Sequence, residues 1–264
     1  MIKKAILFFI CILMLPAVMW ADEKQASFPP GTPQKKFWIG EKLVYGIYYL
    51  GMPIGQSEAE IRDIVEVKGR KAYHIVTRVR SYPVIDFFYK VRDEHQSYID
   101  VETLASLRYE KDIREGRHRE KETIDFDPVK NRAVYTDGDG KVTHEMEIPG
   151  NVQDAMSCGY WSRTLEISSN GSIFIPVNAE KKNWNLEVKF FAESSMEIGG
   201  VGIFQAMESE PLMEFQGIFV RRGKIRGWIS LDERRIPLKM QVKIPVIGFV
   251  TAVLKKYQPG KERA

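Results

Sequence analysis

Hydrophobic and polar residues alternate along most of the chain from Trp38 onward, which is the pattern of half-buried β-strands. The alternation is clearest in residues 238–244, where every second residue is Leu, Met, Val or Ile. Short turn sequences separate the alternating stretches, as at residues 51–55, 68–70 and 137–140. Because connections this short join antiparallel neighbours, the pattern predicts an all-β domain built as an antiparallel meander.

The predicted strands follow one another with little sequence between them. They span residues 43–50, 56–67, 71–81, 91–100, 106–119, 121–126, 132–136, 142–148, 172–177, 185–192, 202–208, 213–221, 224–231 and 236–254. A flat sheet with so many strands would expose two long edges, and curvature avoids this. We therefore expect a curved antiparallel meander that forms a barrel, a half-barrel or a spiral.

Two segments depart from the period of two. Residues 152–167 carry apolar side chains at helical spacing, and Asn151 precedes them as a capping residue, so this segment is predicted to be a helix. Residues 82–89 form a dense apolar patch in which Pro83 opposes a central strand. The expected fold is therefore β-rich with one or two short helices.

The first 21 residues have the composition of a secretory signal peptide. Two early lysines precede an apolar run at residues 5–15, Pro16 ends that run, and the small residue Ala21 follows. This pattern predicts cleavage after Ala21 and export to the periplasm, where the protein would lie near the membrane without spanning it. Met19 occupies a position where a small residue is usual, so an uncleaved N-terminal membrane anchor is the alternative.

The predicted organisation is a signal peptide at residues 1–21, an extended leader at 22–36, a single β-rich domain at 37–258 and a C-terminal tail at 259–264. The formal net charge is +4 and falls to +2 without the signal peptide, which carries two lysines and no acidic residue. This near neutrality does not indicate a nucleic-acid partner. The four histidines show no metal-ligand spacing and no catalytic motif is visible, so no metal, cofactor or catalytic residue is predicted.

Several short motifs resemble those of a bacterial exported family and occur in the same order. They are Gly-Glu-Lys-Leu-Val-Tyr at residues 40–45, the Gly- and Pro-containing turn at 51–55, Val-Arg-Asp at 91–93, and the longer segments 153–163 and 228–237. In these motifs the chain is similar to the family called domain of unknown function 3108 (DUF3108). The resemblance implies a periplasmic curved-sheet protein of unassigned activity, broadly similar to periplasmic carriers that shield lipid tails.

Three segments carry more apolar side chains than one buried strand face needs, namely residues 43–50, 82–89 and 244–254. Were they to line a concavity, an acyl chain would gain about 0.8 kcal/mol for each methylene group that it buries there. The candidate lining residues are Tyr45, Tyr49, Phe87, Phe88 and Phe249. The alternative is a well-filled interior in which these side chains pack only against one another.

The predicted helix offers polar anchors for such a ligand. Arg163 would bind an anionic headgroup and Tyr160 would position it, with Asp154 in the same helical stripe. In the alternative interpretation, Asp154 stabilises the helix N-terminus and Arg163 pairs with a carboxylate on a strand.

We therefore expect a non-enzymatic periplasmic protein that binds a lipophilic or envelope-derived ligand, such as a lipid or another amphiphile, in maintenance of the cell envelope. The first alternative is a scaffold that binds another envelope protein through its sheet edges or through residues 108–122. That segment is charged on both faces, which predicts a hairpin that projects into solvent. The second alternative is a hydrolytic enzyme, which would need distant His, Ser or carboxylate groups to converge in space.

Overall fold

The computed structural model describes residues 37–212, 224–244 and 248–261. The predicted signal peptide, the leader and the strand predicted at residues 213–221 lie outside these ranges. Within them the strands are β1 (Lys42–Tyr49), β2 (Met52–Val67), β3 (Arg70–Ser81), β4 (Arg92–Asp100), β5 (Ser106–Glu115), β6 (His118–Asp127), β7 (Arg132–Asp137), β8 (Val142–Glu147), β9 (Ser172–Ala179), β10 (Lys182–Ile198), β11 (Gly202–Leu212), β12 (Lys224–Ser230), β13 (Pro237–Ile244) and β14 (Gly248–Gln258). The helices are α1 (Pro83–Asp86) and α2 (Ser157–Ser162).

All of these strands belong to one antiparallel sheet of 14 strands. On one side of the sheet β1 to β8 follow one another outward in chain order, and on the other side β14 back to β9 do the same. The two halves meet where β1 pairs with β14, in a register that places Leu43 opposite Tyr257 and Tyr49 opposite Val250. The predicted β-rich fold with one or two short helices is confirmed.

The sheet is not closed by strand pairing, because the edge strands β8 and β9 form no ladder with each other in the described chain. Side chains connect the two edge regions instead. The Tyr135 hydroxyl donates to Asn178 Oδ1 at 2.7 Å, and Asn183 Nδ2 donates to the Glu147 carbonyl at 2.8 Å. For these groups to meet, the sheet has to bend back on itself. The predicted curved antiparallel meander is therefore confirmed as an open, barrel-like sheet.

Apolar side chains from both halves of the sheet, and from the segment around α2, fill the interior. The largest fully buried side chains include Ile61, Ile75, Ile99, Phe126, Tyr135, Met207, Leu238 and Leu254. Burial of each side chain of this size contributes about 1.5–3 kcal/mol relative to leaving it exposed. The strands predicted to be apolar on both faces supply part of this core, since Leu43, Ile47 and Val250 are buried.

The helix predicted at residues 152–167 is much shorter than expected, because α2 covers only Ser157–Ser162. Gln153, four residues before α2, forms a β-bridge with Val177, and its N–H donates to the Pro176 carbonyl at 2.8 Å. This bond pairs the segment with the edge of β9. Asn151 adopts a positive φ of 56° in the preceding turn and does not cap a helix. Tertiary pairing thus removes the first turn of the predicted helix.

The hairpin predicted to project into solvent at residues 108–122 does so only at its turn, where residues 117–119 are exposed, and the rest belongs to the sheet. β5 pairs with β4 up to Asp112, and β6 pairs with β7 from Glu122 onward. The inner face of the hairpin is buried through Tyr109, Lys111 and Ile113. The segment carries charge on both faces because one of its charged residues, Lys111, is buried. The carboxylate partners of Lys111 come from β6 and from the connection between β9 and β10.

Residues 236–254, predicted as a single strand, form two. β13 and β14 pair antiparallel, with Val242 opposite Val250. Gly248, the first residue of β14, has a φ of +108°, a conformation that favours glycine. Part of the predicted C-terminal tail also joins the fold, because the Lys261 N–H donates to the Ile39 carbonyl at 2.9 Å.

Candidate functional site

One end of the sheet carries a cluster of exposed apolar side chains. The connections from β1 to β2 and from β3 to β4 lie at this end, together with the start of β14. Six large apolar side chains are exposed here, and we call them the apolar rim: Leu50, Met52, Val84, Phe87, Phe88 and Phe249. Backbone bonds bring these connections together, since the Tyr82 N–H donates to the Ile54 carbonyl and the Leu50 N–H to the Phe249 carbonyl.

Three of the five predicted lining residues belong to the apolar rim. Phe87 and Phe88 are 86% and 79% exposed, and Phe249 is 42% exposed. Tyr49 lies at the same end and is half-buried. Tyr45 lies deeper, where burial raises the pKa of its hydroxyl. The structure thus brings four of the five residues to one end of the sheet, at an exposed rim rather than in an interior cavity, and their contact with a ligand stays a prediction.

The connection between β3 and β4 is held in place although its aromatic side chains are exposed. The Ser81 hydroxyl and the Arg92 guanidinium both donate hydrogen bonds to the Asp86 carboxylate. The Gly116 N–H donates to the Lys90 carbonyl at 2.8 Å, so the turn between β5 and β6 lies against the same connection. No residue of α1 is buried. Fixed polar contacts therefore hold the apolar side chains of this connection in contact with solvent.

Six basic side chains lie beside the apolar rim, and we call them the basic rim: Arg80, Lys90, Arg92, Arg114, Arg117 and Arg119. Arg80 lies opposite Arg92 in the pairing of β3 with β4, and Arg114 lies opposite Arg119 in the pairing of β5 with β6. A cavity of about 420 Å³ is lined by Lys90, Arg92, Arg114 and Arg119. Like charges placed opposite each other on a sheet are destabilising, so this arrangement is not explained by folding stability.

Two carboxyl groups lie side by side in the interior, on strands that reach the basic rim. Asp93 on β4 and Glu115 on β5 are 2% and 1% exposed. Burial raises the pKa of Glu115 to about 8, and the neighbouring Asp93 adds to this shift. Burial also raises the pKa of Asp93. A hydrogen bond between the two carboxyl groups, which needs a proton on one of them, contributes to the raised pKa of Glu115 and partly offsets the rise for Asp93. The pair therefore retains a proton at neutral pH.

His95 and Lys111 lie opposite each other in the pairing of β4 with β5, next to this acidic pair. His95 Nδ1 shares a hydrogen bond of 2.7 Å with the Tyr109 hydroxyl, and its Nε2 is buried without a partner in the described structure. Burial, with a smaller contribution from Lys111, lowers the pKa of His95 to about 4, so its ring is neutral at pH 7. Three glutamate carboxylates neutralise Lys111 at 2.8–3.7 Å.

Asp154, one of the predicted polar anchors, is buried and fully bonded within the protein. Its Oδ1 accepts the N–H groups of Met156 and Ser157 at 2.7 and 2.8 Å, and its Oδ2 accepts the hydroxyls of Ser97 and Ser106 at 2.6 and 2.7 Å. Burial outweighs these donors and raises the pKa of the carboxyl. The side chain thus joins the start of α2 to β4 and β5, which fits the structural alternative.

Arg163, the predicted headgroup ligand, is buried in a bidentate pair with Glu41, with N–O distances of 2.7 and 2.8 Å. Its Nε and Nη2 also donate to the Arg234 carbonyl. Burial alone would lower the pKa of Arg163, but the bonds to Glu41 raise it. Tyr160 is buried beside this pair, with its ring centroid 5.5 Å from the guanidinium carbon. An anionic headgroup would have to displace Glu41 to reach this guanidinium.

Groups suited to metal binding or nucleophilic attack are few in the described chain. No three or more His, Cys, Asp or Glu side chains are placed there to hold a metal ion. Cys158 is buried, and burial raises the pKa of its thiol to about 12. A thiol with so high a pKa stays protonated and is a poor nucleophile at neutral pH. Among the described residues, we also find no helix with the length and apolar character needed to cross a membrane.

Sequence reasoning missed the basic rim and the acidic pair of Asp93 and Glu115. The basic rim comes from three parts of the chain that only antiparallel pairing brings together. A signal was present, because residues 114–119 contain three arginines close to an expected turn. The acidic pair had no comparable signal, since Glu115 lies in a segment where every charged residue was expected to be in solvent.

The family assignment agrees with the extent of this sheet. The sequence profile of the family described as protein of unknown function (DUF3108) matches residues 44–255. The chain belongs to this family. The matched residues run from β1 to β14 and so include both halves of the sheet. No curated protein matches this DUF3108 chain.

Solved structures with a similar arrangement include a β-barrel-like protein of the DUF1849 family from Brucella abortus. It is 8% identical to this DUF3108 protein with a TM-score of 0.54, and the match covers 85% of this chain and 99% of that chain. A candidate exported protein with a YmcC-like fold from Bacteroides fragilis is 6% identical, with a TM-score of 0.38 and coverage of 85% and 100%. A candidate lipoprotein from Parabacteroides distasonis is 9% identical, with a TM-score of 0.37 and the same coverage. The first likeness supports the fold alone, and the other two are too remote to support any inference.

Proposed function

We propose that this DUF3108 protein is a non-enzymatic protein of the bacterial periplasm that binds a lipophilic or amphiphilic ligand of the envelope through its apolar rim. The observation that carries the proposal is the exposure of six large apolar side chains at one end of the sheet. Contiguous apolar patches on soluble proteins commonly mark interaction sites. The predicted signal peptide at residues 1–21 supports the periplasmic location.

Binding at the rim is favoured over binding inside the sheet. The inward-facing residues of the apolar strands are packed into the core, as Leu43, Ile47 and Leu254 illustrate with exposures of 3%, 4% and 0%. The rim side chains, by contrast, are free to gain from contact with a ligand. Covering Val84, Phe87 and Phe88 would contribute about 5–8 kcal/mol before the cost of association is subtracted.

The test is extraction of lipids from protein purified natively out of the periplasm, followed by mass spectrometry. Wild type is expected to carry a lipid or acyl species in near-stoichiometric amount, and the double variant Phe87→Ser/Phe88→Ser about tenfold less. Val129→Ser is the matched control, because Val129 is 80% exposed but lies in the connection between β6 and β7, at the other end of the sheet. Wild-type protein that carries no lipid and accepts no added amphiphile would overturn the proposal.

A further inference from the structure

We infer that the apolar rim and the basic rim form one docking surface for a bilayer with negatively charged headgroups. The inference rests on the proposed function and deepens it, because it states that the lipid is met within a membrane surface and that its headgroup charge is recognised. It requires that the two rims be contiguous, that the positive charge be uncompensated, and that the apolar side chains protrude.

The two rims are contiguous through direct contacts between the connection of β3 to β4 and the turn of β5 to β6. Val91 forms a β-bridge with Glu115, and the Gly116 N–H donates to the Lys90 carbonyl. The ring of Tyr89 lies against Gly116, so close that a Cβ atom there would be 2.9 Å from it. The chain therefore passes from the exposed aromatic side chains to the basic turn without a gap.

Acidic groups compensate only part of the positive charge. Asp86 pairs with Arg92, and Asp112 pairs with Arg114. Of the other nearby carboxylates, Glu94 and Glu120 pair with Arg78 and Lys111. Asp93 and Glu115 are buried in the interior and form no ion pair with the basic rim among the described residues. In the part of the chain that the structure describes, four members of the basic rim form no ion pair: Arg80, Lys90, Arg117 and Arg119. A surface with four such cations attracts an anionic surface.

The apolar side chains protrude and do not line a groove, since Phe87 and Phe88 are 86% and 79% exposed. Protruding aromatic and aliphatic side chains suit the interfacial region of a bilayer, which receives them without a preformed pocket. Basic residues beside them then lie at the level of the phosphates. The cavity of about 420 Å³ lined by Lys90, Arg92, Arg114 and Arg119 would receive one such phosphate. A bilayer therefore fits this surface better than a protein partner does.

The test is sedimentation of the purified protein with vesicles of phosphatidylcholine alone and with vesicles of equal parts phosphatidylcholine and phosphatidylglycerol. Wild type is expected to bind the mixed vesicles at least about tenfold more tightly than vesicles of phosphatidylcholine alone. Each uncompensated cation near an anionic surface raises the binding constant about fivefold at low salt. Phe87→Ser/Phe88→Ser and Arg117→Glu/Arg119→Glu should each weaken this binding about tenfold or more. The controls Val129→Ser and Lys130→Glu change exposed residues in the connection between β6 and β7 and should bind as wild type.

The outcomes separate this inference from the proposed function. Equal binding to both kinds of vesicle, lost in the Phe87→Ser/Phe88→Ser variant, would retain the apolar rim as a lipid site and overturn the recognition of anionic headgroups. No binding to either vesicle by a protein that still carries extracted lipid would overturn membrane docking alone. No binding and no extracted lipid would overturn both. If wild type self-associates and the Phe87→Ser/Phe88→Ser variant does not, the surface binds a second copy of the chain, and this result would also overturn the inference.

Discussion

Replacing Glu115 by Gln is expected to remove much of the pH dependence of folding stability on the acid side of neutrality. Burial raises the pKa of Glu115 from its ordinary value of 4.5 to about 8. Between these two values the folded state binds more protons than the unfolded state, so the free energy of unfolding falls as the pH rises. Between about pH 5 and about pH 7, this one group lowers the free energy of unfolding by about 2–3 kcal/mol.

Glutamine keeps the size of the side chain and cannot ionise, and its amide can donate to the adjacent Asp93 carboxylate. Urea unfolding followed by tryptophan fluorescence at several pH values measures the effect. The variant should become more stable relative to wild type as the pH rises from about 5 to about 8. Glu110→Gln is the matched control, because Glu110 lies on the same strand with its side chain on the outer face.

The same slope of stability against pH in wild type and in Glu115→Gln would refute the reasoning. It would mean that Glu115 ionises in the folded protein as it does in water. A variant that is equally destabilised at every pH would refute it as well, since only a packing contribution would then have been removed.

Three further predictions concern buried groups elsewhere in the described chain. Glu41→Gln or Arg163→Met alone should lower the free energy of unfolding by about 3–5 kcal/mol, because each leaves a buried partner unpaired. The double variant should lose less stability than the sum of the two single variants, and additive losses measured by urea unfolding would contradict this. Cys158 should not react with a thiol reagent in the native protein but should react fully in urea, and rapid native labelling would show that the buried thiol is accessible. Tyr135→Phe should lower the free energy of unfolding by about 1–2 kcal/mol, because the Tyr135 hydroxyl hydrogen-bonds to Asn178 and to the Lys181 N–H across the two edge regions of the sheet. Unchanged stability would show that these hydrogen bonds are dispensable.

Strand positions were the most predictable feature, because alternation of polar and apolar residues reports directly on a half-buried strand. β3, β7 and β8 begin and end within about two residues of the predicted bounds. The helix at residues 152–167 was overestimated because helical spacing is a local signal, whereas the pairing of Gln153 with β9 depends on a strand that follows it in the chain. Lys111 was assigned to solvent because single-residue polarity does not show which carboxylates a fold brings near it.

The candidate site was predictable in composition but not in placement. The apolar excess of residues 82–89 is visible in the sequence, and it led to Phe87 and Phe88 as lining residues. Composition does not show whether an apolar segment is buried in the interior or exposed at the surface. Their exposure follows from the polar bonds of Asp86 to Ser81 and Arg92, which hold the connection at the end of the sheet. Arg163 shows the same limit, because its partner Glu41 lies far away in the sequence.

The pairing of β1 with β14 has a consequence for how the chain folds during synthesis. Lys42 lies opposite Gln258, so the middle of the sheet is formed by strands from the two ends of the described chain. Each half can grow by successive hairpins, but joining the halves requires contacts of very long sequence separation, which form slowly. Until the last strand has emerged from the ribosome, β1 presents an open edge, and such edges favour pairing with other chains. A truncation that removes only β14 would therefore divide the sheet at its centre, and the remaining chain would need a chaperone to stay soluble.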